Sequence, residues 1–270
     1  MKLVHRLFGV TVLLLAGGCG NKGTLLQLDL PSAVHAQRLE APEVGPYPLL
    51  TVRADGTVFV DRVECTGPLK GDSILLKAVF VRAHAMPTVE RVEGYPGSGE
   101  VPGNPVLLRA DRAAPYGVVR QVMSACNHFD VQIWRLRIAA SGVESEGALE
   151  VEMMRDIAPH CLDSESPIGN NWVTLDCSSG VAVHISRRWS VSKGDKDIAL
   201  RFRTANPAEL TNYLALYAAK DSGARWELYA PEDARWEDVV LAVDAFVAAG
   251  LKVLVPMNAE EPLAIEPRPR

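Results

Sequence analysis

The sequence has no excess of positive charge and no apolar run long enough to cross a bilayer comfortably. Its 28 Lys and Arg residues are outnumbered by 33 Asp and Glu residues, which gives a formal net charge of −5. A nucleic-acid-binding domain would show a basic excess on some face, so this balance argues against that class. The 270 residues, 48% of them hydrophobic, suffice for one or two domains with cores of their own.

The sequence also lacks the motifs of common catalytic and metal sites. It has no CxxC or HxxxH spacing, and its six His residues are scattered. The Gly-rich stretch 94–99 does not join a strand to a helix with a following Lys, so it is interpreted as a surface loop. We therefore expect a protein that is not an enzyme, with no catalytic residue, no cofactor and no metal. A hydrolase or other enzyme is the alternative, and it would need a deep pocket with several titratable groups in mutual reach.

The N-terminus has the pattern of an export signal. Lys2 and Arg6 form a short positive region, residues 7–16 are mostly apolar, and small residues follow. An apolar run this short is typical of a signal peptide rather than a transmembrane helix. The stretch 15–19, LAGGC, resembles a bacterial lipobox, which implies cleavage before Cys19 and a diacylglycerol on its thiol. The alternatives are an ordinary signal peptide with a chance cysteine and an uncleaved anchor.

A strand–helix–strand pattern occurs twice in the chain, first at 106–138 and again at 225–257. A fixed offset of about 120 residues, held across a whole unit of this kind, indicates an internal duplication. Aligned without gaps, the equivalent positions are Ala110 and Ala230, Tyr116 and Trp236, Val119 and Val239, Met123 and Val243, Ala125 and Ala245, and Val131 and Leu251.

The order of elements favours an α+β fold. A hairpin with an Asp55-Gly56 turn is followed by a helix, a strand, a second helix that begins near Pro115, and further strands. We predict two tandem two-layer domains, each a mixed β-sheet with two helices on one face. The expected boundaries are a lipoprotein signal peptide at 1–18, a tether at 19–46, domain 1 at 47–154, a linker at 155–170, domain 2 at 171–258 and a disordered tail at 259–270.

Four cysteines remain if Cys19 carries lipid, and an even number in an exported protein favours disulfides. Four cysteines allow three connectivities, and the sequence alone does not choose among them. We favour two pairs, each within or beside one repeat: Cys65 with Cys126, and Cys161 with Cys177.

The hairpin LLTVRADGTVFVDR (49–62), the helix after it and the first repeat together resemble the periplasmic domain of the ExbD/TolR family of biopolymer-transport proteins. The resemblance covers about residues 48–154 well and about residues 180–258 more loosely. In the first repeat the matching positions are Ala110, Asp111, Tyr116, Val118, Val119, Val122 and Met123. In the second repeat they are Trp236, Val239, Val240, Val243, Asp244, Ala245, Gly250 and Leu251.

The resemblance implies an association with an inner-membrane stator, in which the family couples proton flow to work at the outer membrane. Family members do this with an N-terminal transmembrane helix that carries an essential aspartate. Here no Asp or Glu lies between Lys2 and Cys19. A buried carboxylate allows a membrane helix to carry a proton reversibly, so the proton-conducting role is not carried over.

We therefore expect an envelope lipoprotein that acts as an accessory or adaptor of a Ton- or Tol-like transport system. The expected partners are an ExbB/TolQ-type channel subunit or other envelope proteins, with peptidoglycan and a second copy of the chain also possible. We expect the protein to be held on the periplasmic side of a bacterial membrane by a lipid anchor on Cys19. The outer membrane is favoured over the inner membrane. Tyr116 and Trp236, at equivalent helix starts, are candidate partner contacts, with core packing as the favoured alternative. The alternative function is a structural, peptidoglycan- or envelope-associated lipoprotein unrelated to a stator.

Overall fold

A computed structural model of the chain has an α+β fold, as the sequence predicts. Strands and helices alternate in both halves of the chain, and the strands form a mixed sheet. The structure describes residues 26–39, 49–65, 74–84, 89–91, 100–102, 105–128, 131–133, 135–143, 145–153, 171–176, 182–187, 204, 206–219 and 225–255.

The first half contains nine strands and two helices within these residues. They are β1 (Gln37–Arg38), β2 (Leu49–Val52), β3 (Val58–Val60), β4 (Val63–Cys65), α1 (Ile74–His84), β5 (Val89–Arg91), β6 (Glu100–Pro102), β7 (Val106–Ala110), α2 (Tyr116–Asn127), β8 (Arg135–Ser141) and β9 (Glu146–Met153). The second half repeats the main series. Its elements are β10 (Asn171–Asp176), β11 (Ala182–Arg187), α3 (Pro207–Ala218), β12 (Arg225–Tyr229), α4 (Trp236–Ala248) and β13 (Lys252–Val255).

One sheet contains strands from both halves, in the order β11-β10-β12-β13-β9-β8-β7-β2-β3-β4. The strands β2, β7 and β8 are parallel to one another, and so are β10, β12 and β13. Strand β9 connects the two sets, because it is antiparallel to β8 and parallel to β13. The two parallel sets therefore run in opposite directions. A two-fold axis normal to the sheet produces this relation between two copies of one unit.

The four helices pack in a row, with α1 against α2, α2 against α4, and α4 against α3. The core lies between this row and the sheet. The apolar residues of helix α2 recur at helical spacing and face this core, where Tyr116, Val119, Val122, Met123 and Cys126 are buried. No helix in the described residues is both long and apolar enough to cross a membrane.

The strand after α2 begins later than the sequence predicts. A strand is predicted at 131–138, whereas β8 spans Arg135–Ser141. The N–H of Ile133 donates to the carbonyl of Cys126 at 2.9 Å, and the N–H of Leu251 donates to the carbonyl of Phe246 at 3.0 Å. Since Cys126 and Phe246 are 120 residues apart, Ile133 and not Val131 is the counterpart of Leu251. The first half therefore has two extra residues in this loop.

Residues 26–39 pack against the fold, and we call them the N-terminal strap. The N–H of Ala33 donates to the carbonyl of Ser141 at 3.1 Å, and the N–H of Ser141 donates to the carbonyl of Pro31 at 2.8 Å. Strand β1 then pairs with β9. Gly147 permits this approach, because a Cβ there would lie 2.8 Å from the carbonyl oxygen of Gln37. The sequence places these residues in a tether, but their backbone groups are bonded to the sheet.

Candidate functional site

The two halves meet at the N-termini of α2 and α4, and we call this contact the junction. The N–H of Tyr116 donates to the carbonyl of Ala234 at 2.8 Å, and the N–H of Trp236 donates to the carbonyl of Ala114 at 2.9 Å. Each bond is the image of the other under the 120-residue offset.

A second pair of hydrogen bonds repeats this relation one residue further along. The N–H of Gly117 donates to the carbonyl of Glu232 at 2.8 Å, and the N–H of Glu237 donates to the carbonyl of Arg112 at 3.1 Å. The first N–H groups of a helix lack partners inside the helix. Neither α2 nor α4 has a side-chain cap. Each half therefore caps the helix of the other half with its backbone carbonyls.

The rings of Tyr116 and Trp236 stack on each other at this junction. Their centroids are 6.3 Å apart and their planes differ by 6°. The two side chains are 1% and 0% exposed. Their proposed role as surface contacts for a partner is therefore wrong, because each covers the other within the chain. Burial also raises the pKa of the Tyr116 hydroxyl well above its usual value.

Ion pairs flank the stacked rings on both sides. The guanidinium of Arg112 pairs with the Glu237 carboxylate, and that of Arg120 pairs with Glu232. The hydrogen bond and charge of Glu237 raise the pKa of Arg112. These pairs join residues 125 and 112 positions apart in the chain. They contribute to how the halves are oriented, while the partly exposed pair of Arg112 adds little stability.

Asp244 on α4 holds the N-terminal strap. Its carboxylate accepts the backbone N–H of His35 at 2.8 Å and that of Val34 at 3.1 Å, and it lies 3.3 Å from Nδ1 of His35. Asp244 is 8% exposed, so these hydrogen bonds replace the water that a buried carboxylate loses. The equivalent position in α2 is Ser124, which is exposed. The carboxylate contact with the strap is therefore not repeated at the corresponding position of α2.

Arg109 fastens the beginning of the strap on the sheet face opposite the helices. It is 5% exposed, in the middle of β7. Its guanidinium donates to both carboxylate oxygens of Glu146, at 2.9 and 3.1 Å, and to the carbonyl of Leu26 at 3.0 Å. A bidentate arrangement of this kind is the strongest geometry for such a pair.

A polar groove lies on the same sheet face, beside the end of the strap. Its volume is about 390 Å³, and the described residues that line it are Gln37, Arg38, Leu39, Arg137, Ala148 and Glu150. Arg137 on β8 and Glu150 on β9 are directly opposite in the strand register. Both side chains are exposed, and neither has an ion pair or hydrogen bond in the described structure. We call this feature the sheet groove.

The predicted disulfide between Cys65 and Cys126 is not formed, because both are free thiols and both are buried. Cys65 lies in β4, the outermost strand of this side of the sheet, whereas Cys126 lies in α2. Helix α2 packs against β2, whereas β4 lies two strands further out, beyond β3. Burial raises the pKa of Cys126 to about 12. Cys19, Cys161 and Cys177 lie outside the described residues.

Sequence reasoning missed the residues that hold the strap. A usable signal existed for two of them. Asp244 interrupts the apolar run VVLAVDAFVA, and Arg109 interrupts the apolar strand VLLRA. A charge at such a place predicts a specific buried partner. Among the described residues, no group of three or more His, Cys, Asp and Glu side chains is placed to bind a metal.

The sheet groove and the junction both bring together side chains from segments that are distant in the sequence. The junction is filled by its own side chains, and the sheet groove is open to solvent. No protein-family model, no curated protein and no solved structure matches this chain.

Proposed function

We propose that this protein is an envelope lipoprotein, anchored through Cys19, that acts as a non-catalytic adaptor of a Ton- or Tol-like transport system. In this proposal residues 47–154 and 171–258 are two ExbD/TolR-like domains that arose by duplication. The protein lies on the periplasmic side of a bacterial membrane, and we favour the outer membrane over the inner membrane. It has no proton-conducting helix of its own, so it serves a channel subunit of the ExbB/TolQ type or another envelope protein.

The observation that supports this proposal is the reciprocal junction. Four backbone hydrogen bonds related by the same 120-residue offset join the two halves, as two copies of a homodimer would be joined. A single chain then contains both members of the pair. In our proposal this internal pair takes the place of the homodimer expected from the family resemblance.

The first test is co-purification. The full chain, extracted from membranes with mild detergent, should retain an ExbB/TolQ-type subunit. The matched control is Cys19→Ala, which prevents lipidation and leaves the folded residues unchanged. Intact mass of the wild-type chain should show cleavage before Cys19 and added acyl chains. Sedimentation with peptidoglycan in place of such a subunit would support the structural-lipoprotein alternative.

Light scattering in detergent gives a second, independent test. The fused pair predicts one chain per particle at micromolar concentration, after correction for detergent. A particle with two chains would show that the junction does not replace self-association, and this part of the proposal would be abandoned.

A further inference from the structure

The sheet groove contains opposite charges that are not paired with each other. Arg137 and Glu150 are cross-strand neighbours, a position in which the Cβ atoms are about 5 Å apart. Their charged ends nevertheless form no contact within the described residues. The neighbouring charges on this sheet face behave differently. Arg109 is bonded to Glu146, and Arg135 is engaged in an interaction of its own.

The arrangement of these charges matches a particular kind of ligand. The guanidinium of Arg137 lies on this sheet face, and guanidinium binds phosphate or carboxylate through paired N–H donors. Glu150 offers a carboxylate to an ammonium group. Ala148 leaves room between them because its side chain ends at Cβ. The volume of about 390 Å³ lies within the range typical of small-molecule sites.

The position of the strap adds a second observation, which rests on the proposed function. Leu26 lies seven positions after Cys19, and seven extended residues reach about 25 Å at most. Leu26 accepts a hydrogen bond from Arg109, which lies on the sheet face that also carries Arg137 and Glu150. A lipid on Cys19 would therefore hold this face near the membrane surface.

We propose that the sheet groove binds a zwitterionic phosphoethanolamine group, with Arg137 on the phosphate and Glu150 on the ammonium. The group is shared by a lipid headgroup and by soluble phosphoethanolamine compounds. The membrane-facing position of the groove favours the headgroup as the source. Arg137 and Glu150 are exposed, so water competes for each contact and the affinity for an isolated group is roughly millimolar.

The test is a titration of the full-length chain in detergent with O-phosphoethanolamine, followed by ³¹P NMR. Phosphocholine, inorganic phosphate and ethanolamine are titrated in parallel. O-phosphoethanolamine should bind best, because phosphocholine has no N–H to donate to Glu150. Arg137→Gln should weaken binding at least about fivefold. Glu150→Gln should remove the preference over phosphocholine and inorganic phosphate.

The matched control is Arg53→Gln, at an exposed arginine of the β2–β3 turn on the same sheet. This variant also loses one positive charge, but outside the groove. Its affinity for O-phosphoethanolamine should stay within about twofold of the wild-type affinity. Equal losses from Arg53→Gln and Arg137→Gln would overturn the proposal, since general electrostatics would then explain binding. No binding of O-phosphoethanolamine by the folded wild-type chain would overturn it as well.

Vesicles separate the two sources of the group. Retention of the chain on phosphatidylethanolamine vesicles should exceed retention on phosphatidylcholine vesicles, and Arg137→Gln should remove the difference. Equal retention together with binding of the soluble compound assigns the groove to a soluble ligand. The ³¹P titration does not depend on acylation of Cys19, so failure of the lipoprotein proposal and failure of the groove proposal give different results.

Discussion

Replacement of Trp236 by Phe separates two opposing contributions at the junction. The indole is 0% exposed, and its Nε1–H has no hydrogen-bond partner. An unsatisfied buried donor costs about 1–3 kcal/mol, which the substitution removes. The loss of three heavy atoms from a packed site costs about 2 kcal/mol. We therefore expect the free energy of unfolding of Trp236→Phe to lie within about 1 kcal/mol of wild type.

Trp236→Ala removes the whole ring and should cost about 3–5 kcal/mol. Urea unfolding followed by far-UV circular dichroism measures both variants. The control is Phe246→Leu, on the same helix, which reduces a fully buried aromatic side chain without relieving any polar group. It should be less stable than Trp236→Phe. A loss of 3 kcal/mol or more for Trp236→Phe would show that the indole N–H is satisfied in solution, and the reasoning would fail.

Three further outcomes are expected. Asp244→Ala removes the acceptor of the strap and should cost about 3 kcal/mol, with faster hydrogen exchange at residues 33–38, whereas Ser124→Ala should change neither. Gly117→Ala places a Cβ 3.0 Å from Cβ of Glu232 and should lower the melting temperature, at a cost of about 1–3 kcal/mol, despite the better helix propensity of Ala. Cys126 should resist alkylation at pH 8 until the chain unfolds. Its pKa rises from 9.0 to about 12 on folding, so its contribution to stability is complete below pH 9 and decreases between pH 9 and 12.

Local patterns predicted the parts of the fold that local forces determine. The Asp55-Gly56 turn forms because Gly56 adopts a φ of 83° and Asp55 accepts the N–H of Thr57 at 2.9 Å. The 120-residue offset predicted equivalent positions in α2 and α4, and the junction bonds have the same offset. It failed after α2, because an ungapped alignment cannot reveal a loop that is two residues longer.

The remaining features depend on contacts between distant segments, which a local pattern does not encode. Helix periodicity places Tyr116 and Trp236 at the ends of apolar stripes, but it cannot say that the two ends meet. Strand β1 contains two residues, too few for an alternating pattern. The cysteine pairing failed for the same reason, because the separation of β4, with Cys65, from the strand that α2 contacts follows from strand order.

The strap has a consequence for the order in which the chain folds. Residues 33–38 precede nearly all of the sheet in the sequence, yet the carboxylate that holds them belongs to residue 244. The strap is synthesised early, but it cannot form its hydrogen bonds to Asp244 until α4, one of the last elements, has been synthesised. Contacts over such separations slow folding, because the intervening chain must first be ordered. During that interval the edge of β9 at residues 147–148 is open to other strands, and closure by the chain's own beginning completes the sheet.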